Sequence, residues 1–204
     1  MTCLFRVVAR RRVIPDGGAA HPVFHAPRRM YGVTALELMV VLAVVAILAT
    51  IAAPSFVDLT QRNRVATEVN AFVGDLQFAR AEAIRRGEAV TVCATVTGTN
   101  CGATGTAWNN GWLIFNNGDG SNTTIDTGES VIRKQLKWTG TDTFTASGSL
   151  SAITYSRDGF ALGLPGGAAQ LTLRTSPANA KATRCVTLNL AGRQQVLTAG
   201  GTCT

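Results

Sequence analysis

The sequence predicts an α+β fold in which one long N-terminal helix, membrane-spanning in its first half and amphipathic in its second, packs on antiparallel β-sheets. Three observations predict it. Leu38 to Ala53 is an apolar run without a charge, with Thr50 its one polar member. Beyond it, apolar residues recur at three- and four-residue steps as far as Ala83. Residues 88–204 then change character, with Gly, Asn, Thr and Ser separating short β-branched runs. In a chain of 204 residues that is 46% hydrophobic and only 15% charged, this leaves enough apolar material for one folded domain beside the membrane run.

The apolar run is preceded by Arg6, Arg10, Arg11, Arg12, Arg28 and Arg29, opposed only by Asp16. The formal charge of the whole chain is +7, but without residues 1–32 it is +2, so the basic excess belongs to this flank. The positive-inside rule assigns such a flank to the cytoplasmic side of a membrane span. Charge alone therefore gives no nucleic-acid signature. Sixteen helical residues at about 1.5 Å each cover roughly 24 Å, enough to span with flanking residues added. The helix is expected to run from about Ala35 to Arg86. Its amphipathic part buries Leu59, Val65, Val69, Phe72, Val73, Leu76, Ala79 and Ala83, and Gly87 ends it. Pro54 lacks an amide hydrogen and clashes with the preceding turn, so it is expected to kink the helix where it leaves the bilayer.

Glu37 is the residue that a plain anchor does not explain. A carboxylate at the head of an uncharged membrane helix costs a few kcal/mol in the bilayer centre and calls for a specific partner. A cleaved secretory signal has no use for it, and Pro54 after Ala52 and Ala53 would hinder cleavage there. The simple alternative is a carboxylate resting at the interface.

Seven strands are expected in the remainder: 89–96, 112–115, 131–138, 152–156, 170–175, 182–189 and 194–198, with turns at Asn117-Gly118-Asp119-Gly120 and Pro165-Gly166-Gly167. Their alternation, as in Leu171 and Leu173 against Thr172 and Arg174, predicts sheets with one buried face, which the amphipathic helix would cover.

Several chemistries are excluded or disfavoured. Both histidines, His21 and His25, lie in the basic flank, so residues 33–204 contain no His and cannot form a Ser-His-Asp or Cys-His pair or a His-ligated metal site. Cys93, Cys101, Cys185 and Cys203 follow the membrane run, an even set suited to disulfides in an oxidising compartment. Three connectivities exist, of which the sequence-local pairs Cys93–Cys101 and Cys185–Cys203 close the shortest loops. A four-cysteine zinc site lacks the short C-x-x-C knuckles it would need. The segment Asn116–Asn122, with Asp119 and the nearby Asp126 and Glu129, offers oxygen ligands of the kind calcium accepts, but a hairpin turn explains the same residues. Trp108, Trp112 and Trp138 read as core packing before they read as a ligand face. No metal, cofactor or catalytic role is expected. An anchored periplasmic enzyme using carboxylates such as Asp142 and Asp158 is the rival from another class.

The stretch Arg28-Arg29-Met30-Tyr31-Gly32, then Val33-Thr34-Ala35-Leu36-Glu37-Leu38-Met39, then the apolar helix to Pro54, resembles the class III signal of type IV pilins and type II secretion pseudopilins. Val33 stands where Phe or Met is usual, and the leader is long. The resemblance implies cleavage by a prepilin peptidase between Gly32 and Val33 and methylation of the new N-terminus. It divides the chain into a leader (1–32), a membrane and polymerisation helix (33–54) and a periplasmic domain (55–204). Cleavage would create an ammonium at Val33. In stacked helices the Glu37 carboxylate of one subunit could approach that ammonium on another, and such a pair sets register where either charge alone is penalised.

Later motifs in order, Asn110-Gly111-Trp112-Leu113-Ile114-Phe115, Ser156-Arg157-Asp158-Gly159, Arg184-Cys185-Val186-Thr187-Leu188-Asn189 and Gly192-Arg193, resemble the GspH/FimT family of minor pilins and pseudopilins. The implied role is a low-abundance subunit that helps assemble or prime a type IV pilus, with a GspH-like subunit of a type II secretion pseudopilus as the alternative. Implied partners are other major and minor pilins or pseudopilins, the prepilin peptidase and inner-membrane lipid. Some members bind DNA through a C-terminal Gly-Arg-x-Arg motif. Here Gly192-Arg193-Gln194-Gln195 retains Arg193 alone, so any DNA binding would be weak; Arg174, Lys181 and Arg184 could supplement it if the sheet gathers them, but basic residues on exposed strands read first as solvated surface.

Overall fold

The structure, a computed structural model, describes residues 32–102, 107–118, 124–198 and 203. Residues 1–31 of the expected leader and residues 119–123 of the calcium-type loop lie outside the described residues. The chain divides into two compact units, the first ending at Val44 and the second beginning at Val45.

In the first unit, helix α1 (Ala35–Arg86) begins, and its described residues are exposed. Thr34 caps it: the Thr34 Oγ1 accepts a hydrogen bond from the Glu37 amide at 3.2 Å, and Glu37 lies in the first turn, where a carboxylate meets the positive end of the helix dipole.

The second unit holds the rest of α1 and all the strands. The helix passes through Pro54 without a break in its assigned span. Ile47, Leu48, Ile51, Phe56 and Val57 are exposed, and burial starts with Gln61 and Val65. Val65, Val69, Phe72, Leu76, Ala79 and Ala83 form the buried stripe. Leu59 departs from expectation: it is 54% exposed, because at 100° per residue it lies about 120° around the helix from Val65. Val73 lies at the border of the stripe, only partly buried. Gly87 ends the helix with φ +72°, its amide donating to the Ala83 carbonyl at 3.0 Å, the left-handed stop that glycine adopts without a Cβ clash.

The strands are β1 (Val90–Ala94), β2 (Gly111–Asn116), β3 (Val131–Leu136), β4 (Thr143–Ala146), β5 (Ala152–Tyr155), β6 (Ala161–Leu162), β7 (Ala168–Arg174), β8 (Arg184–Asn189) and β9 (Gln194–Thr198). They form two antiparallel sheets, ordered β3-β2-β1-β5-β6 and β4-β7-β8-β9. β4 and β6 were not expected. β4 is a Thr-Phe-Thr-Ala segment whose one large apolar residue gives no readable alternation, and it exists because it pairs with β7. β6 is two residues pairing with Thr154 and Tyr155 of β5.

The α1 stripe faces both sheets in one core. Val90, Val92, Trp112, Ile114 and Ile153 come from the first sheet, and Phe144, Leu171, Leu173, Val186 and Leu188 from the second. Phe72 is its hub, with edge-to-face contacts to Trp108 (5.4 Å), Trp112 (5.1 Å) and Phe144 (4.9 Å). The tryptophans are thus core residues, Trp108 and Trp112 fully buried and Trp138 stacked on Phe144.

The expectation of one buried face per sheet fails for β1 and β2. Val90–Ala94 is buried throughout, as is Gly111–Phe115. Their outward side chains Cys93, Leu113 and Phe115 form a second small core covered by Cys101, Ile125 and Ala152. Cys101 from the segment after β1 and Ile125 from the segment after β2 lie over the sheet, so period-two alternation in burial disappears where both faces are dry.

Candidate assembly surface

From Leu38 to Val57 the helix carries no charge, and twenty residues at about 1.5 Å span about 30 Å, the thickness of a bilayer's hydrocarbon core. The large side chains there stand open, with Met39 70%, Ile51 68% and Ile47 63% exposed. Only lipid or other apolar helices can cover such a cylinder favourably. Glu37 is its single carboxylate, near exposed Val33 and Gly32. Leu59, Phe56 and Val57 continue the apolar surface past Pro54.

Above this surface, polar clamps fix the helix to the sheets. Asp142, 1% exposed, accepts two hydrogen bonds at 2.7 Å from Arg64 Nε and Nη2 and one at 2.9 Å from the Ser176 amide. Asp75 accepts from Trp112 Nε1 and from Arg133 Nη1, each at 2.8 Å, while the Arg133 guanidinium also lies 4.1 Å over the Phe78 ring. Asn179 Nδ2 donates to Asp58 Oδ1 at 2.6 Å and to Gln61 Oε1 at 2.8 Å, and Gln61 Nε2 donates to the Pro177 carbonyl at 3.3 Å. The Asn179 amide, with Arg62 beside it, holds the Asp58 carboxyl below its ordinary range. Sequence reading missed these clamps, although Asp75 sits one residue before Leu76 on a buried stripe and is the acid that periodicity makes anomalous. Glu68 behaves oppositely. Burial, reinforced by the Asp142 charge and only partly offset by Arg64, pushes its carboxyl up to about 7, and its Oε2 has no hydrogen-bond partner among the described residues.

Cys93 is joined to Cys101 and Cys185 to Cys203, with Cα separations of 5.5 and 5.7 Å. Each disulfide lies on the outward face of its sheet, since Val92 and Ala94 point into the main core around Cys93, and Val186 does so beside Cys185.

Arg193 is exposed in the β8–β9 turn, where Asn189 Oδ1 accepts from its amide at 3.1 Å. The sheet does not gather the other cations beside it. Arg184 opens β8 and Asn189 closes it, and a strand rise of about 3.4 Å per residue puts roughly 17 Å between them. Arg174 and Lys181 belong to the Arg184 end. The cation that does approach the turn is Arg80 from α1, but its guanidinium donates to the Gly192 and Ala191 carbonyls. A Cβ on Gly192 (φ +72°) would come within 2.5 Å of the Gly159 carbonyl, so this glycine is required by the close approach of two turns.

Asp142, one carboxylate of the enzymatic alternative, is committed to Arg64 and Ser176, while Asp158 sits in an exposed turn. Glu129 accepts hydrogen bonds from the Gly118 amide at 3.1 Å and the Asp126 amide at 2.9 Å. Among the described residues no three His, Cys, Asp or Glu side chains form a metal cluster.

The family model of the type II transport protein GspH matches residues 68–192. No curated protein matches the chain. Among solved structures, the type IV minor pilin FimU of Pseudomonas aeruginosa PAO1 aligns in one crystal form with TM-score 0.52 and 21% identity, over 73% of this chain and 99% of that one. In a second crystal form the TM-score is 0.49 at 20% identity, over 70% and 99%. At that identity the first likeness is one of fold: a long helix on antiparallel sheets.

Proposed function

Because the chain belongs to the GspH family, with more than half of its length matched, we propose that it is a minor type IV pilin, a membrane-anchored subunit released after Gly32 and built into the assembling pilus. The observation that carries this reading is the exposed, uncharged surface of α1 from Leu38 to Val57 with Glu37 at its head. Lipid covers it while the subunit waits in the inner membrane, with the strands in the periplasm. Helices of other pilins cover it in the filament. Removal of residues 1–32 creates an ammonium at Val33. The Glu37 carboxylate, carried into an apolar bundle, gains a partner only if that ammonium of another subunit lies alongside, so misregistered packing leaves both charges uncompensated. The Thr34 cap fixes the turn on which Glu37 sits. The same geometry suits a pseudopilin of a type II secretion system, and the matching family's description favours that second home.

Purified pili from the native host should contain this chain beginning at Val33, and Glu37→Ala should lower its incorporation at least about tenfold, a 1.4 kcal/mol effect, with disulfides and unfolding midpoint unchanged. Isolation of the chain with residues 1–32 still attached, or undiminished incorporation of the variant, would overturn the reading. Recovery with secretion pseudopili and not with pili would select the second home.

A further inference from the structure

The loop joining β7 to β8 meets α1 where its uncharged stretch ends. Asp58 is the first charge after Glu37, and Asn179 of that loop bonds it directly. Between the two segments runs an open groove of about 630 Å³, lined by Pro54, Ser55, Val57 and Asp58 on the helix and by Pro177 to Lys181 on the loop. The loop therefore reaches the helix residues that, in an anchored subunit, would lie at the edge of the hydrocarbon. Its tip, Pro177, Ala178 and Ala180, is exposed and small, suited to the headgroup layer.

The charge at this end of the second unit is one-sided. Arg174 ends β7, Lys181 lies in the loop and Arg184 opens β8; Arg184 Nη1 donates to the Lys181 and Thr183 carbonyls at 3.0 and 2.9 Å, which braces the loop. None of these three forms an ion pair among the described residues. The acids nearby are occupied: Asp58 by Arg62 and Asn179, Asp142 by Arg64 and Ser176. Glu68, on the next turns of α1, is partly buried.

We propose that the Ser176–Lys181 loop docks on the headgroup layer of the membrane that α1 spans, with Arg174, Lys181 and Arg184 binding anionic phospholipid and a headgroup entering the groove beside Pro54. This rests on the anchored-subunit reading above. The consequence is a globular unit held against the bilayer before assembly and released when the helix is drawn out of the lipid, since the cations then lose their counter-charge. Such attraction requires anionic lipid and fades within a Debye length, so it is sensitive to both lipid composition and salt.

The test uses the full chain purified from membranes, with Cys3→Ser and with Ala178→Cys carrying an environment-sensitive fluorophore, reconstituted into vesicles. One set is phosphatidylcholine alone, the other contains about 30 mol% phosphatidylglycerol, and both carry a headgroup spin-labelled quencher. Flotation with vesicles reads the anchor. Quenching at position 178 reads the docking. Expected is flotation with both lipids but at least about twofold stronger quenching on anionic vesicles, lost at about 0.5 M salt and in Lys181→Gln with Arg174→Gln, two exposed side chains. Equal quenching on the two vesicle types, or quenching unchanged by the double substitution, overturns the docking while leaving the anchor intact. Failure to float overturns the anchor itself.

Discussion

Glu68 places one carboxylate oxygen where no partner among the described residues reaches it, and Asp142 close by adds a second negative charge. Its folded-state pKa of about 7 lies above the ordinary 4.5, so between those values the folded chain holds a proton that the unfolded chain releases. The stability from this group is present below about 4.5 and is lost as pH rises through about 7. The thermal midpoint should therefore fall across that window, and Glu68→Gln should flatten the fall and raise the midpoint at pH 8; a profile identical in the variant would show that Glu68 is not the group responsible. Arg64 and Asp142 are unequal partners in the neighbouring clamp. The Arg64 side chain is 42% exposed and that of Asp142 is not exposed at all. Arg64→Ala strands a buried carboxylate and is expected to cost about 3 kcal/mol in denaturant unfolding. Asp142→Ala leaves an arginine that water can solvate and one unpaired amide, and should cost less, about 1–2 kcal/mol. If the two losses come out in the reverse order, the burial argument fails.

At the scale of the element, α1 is one helix with two solvents. Up to Val57 its surface is exposed and, apart from Glu37, Thr50 and Ser55, apolar; from Val65 a stripe is buried against two sheets. Phe72 is the position on which that stripe depends, because three aromatic rings meet its edges and face within 5.4 Å. Phe72→Ala should destabilise the globular unit by about 3–5 kcal/mol through the cavity left among Trp108, Trp112 and Phe144, measured as a shift in denaturant midpoint with the slope unchanged. A loss under about 1 kcal/mol would mean that the aromatic cluster collapses around the gap. The helix was legible because 3.6-residue periodicity survives in Val65, Val69, Phe72, Leu76, Ala79 and Ala83. Leu59 was misplaced because hydrophobicity cannot distinguish a residue that faces a protein core from one that faces lipid or another helix. β4 and β6 were illegible for a different reason, since their pairing with β7 and β5 supplies what their own side chains do not.

For the molecule as a whole, the two disulfides stand on the outer faces of the two sheets, and Cys93–Cys101 ties the segment after β1 back over its sheet. Replacing Cys185 and Cys203 by Ser should cost about 3 kcal/mol through the restored freedom of an 18-residue segment in the unfolded chain, seen as a lower thermal midpoint without change of fold. An unaltered midpoint would show that this bridge does not constrain the unfolded ensemble.

The helix, its uncharged membrane stretch, Glu37 at its head, the long run of strands and the family resemblance all belong to the sequence, because each is written in residues adjacent or regularly spaced along the chain. Strand order, the second small core around Cys93, the bonding of Asp58, Asp75 and Asp142, and the separation of Arg193 from Arg174, Lys181 and Arg184 belong to the tertiary structure alone. These depend on contacts between residues tens of positions apart, Arg64 with Asp142 or Asn179 with Asp58, and no local periodicity encodes which distant polar group a charge will meet.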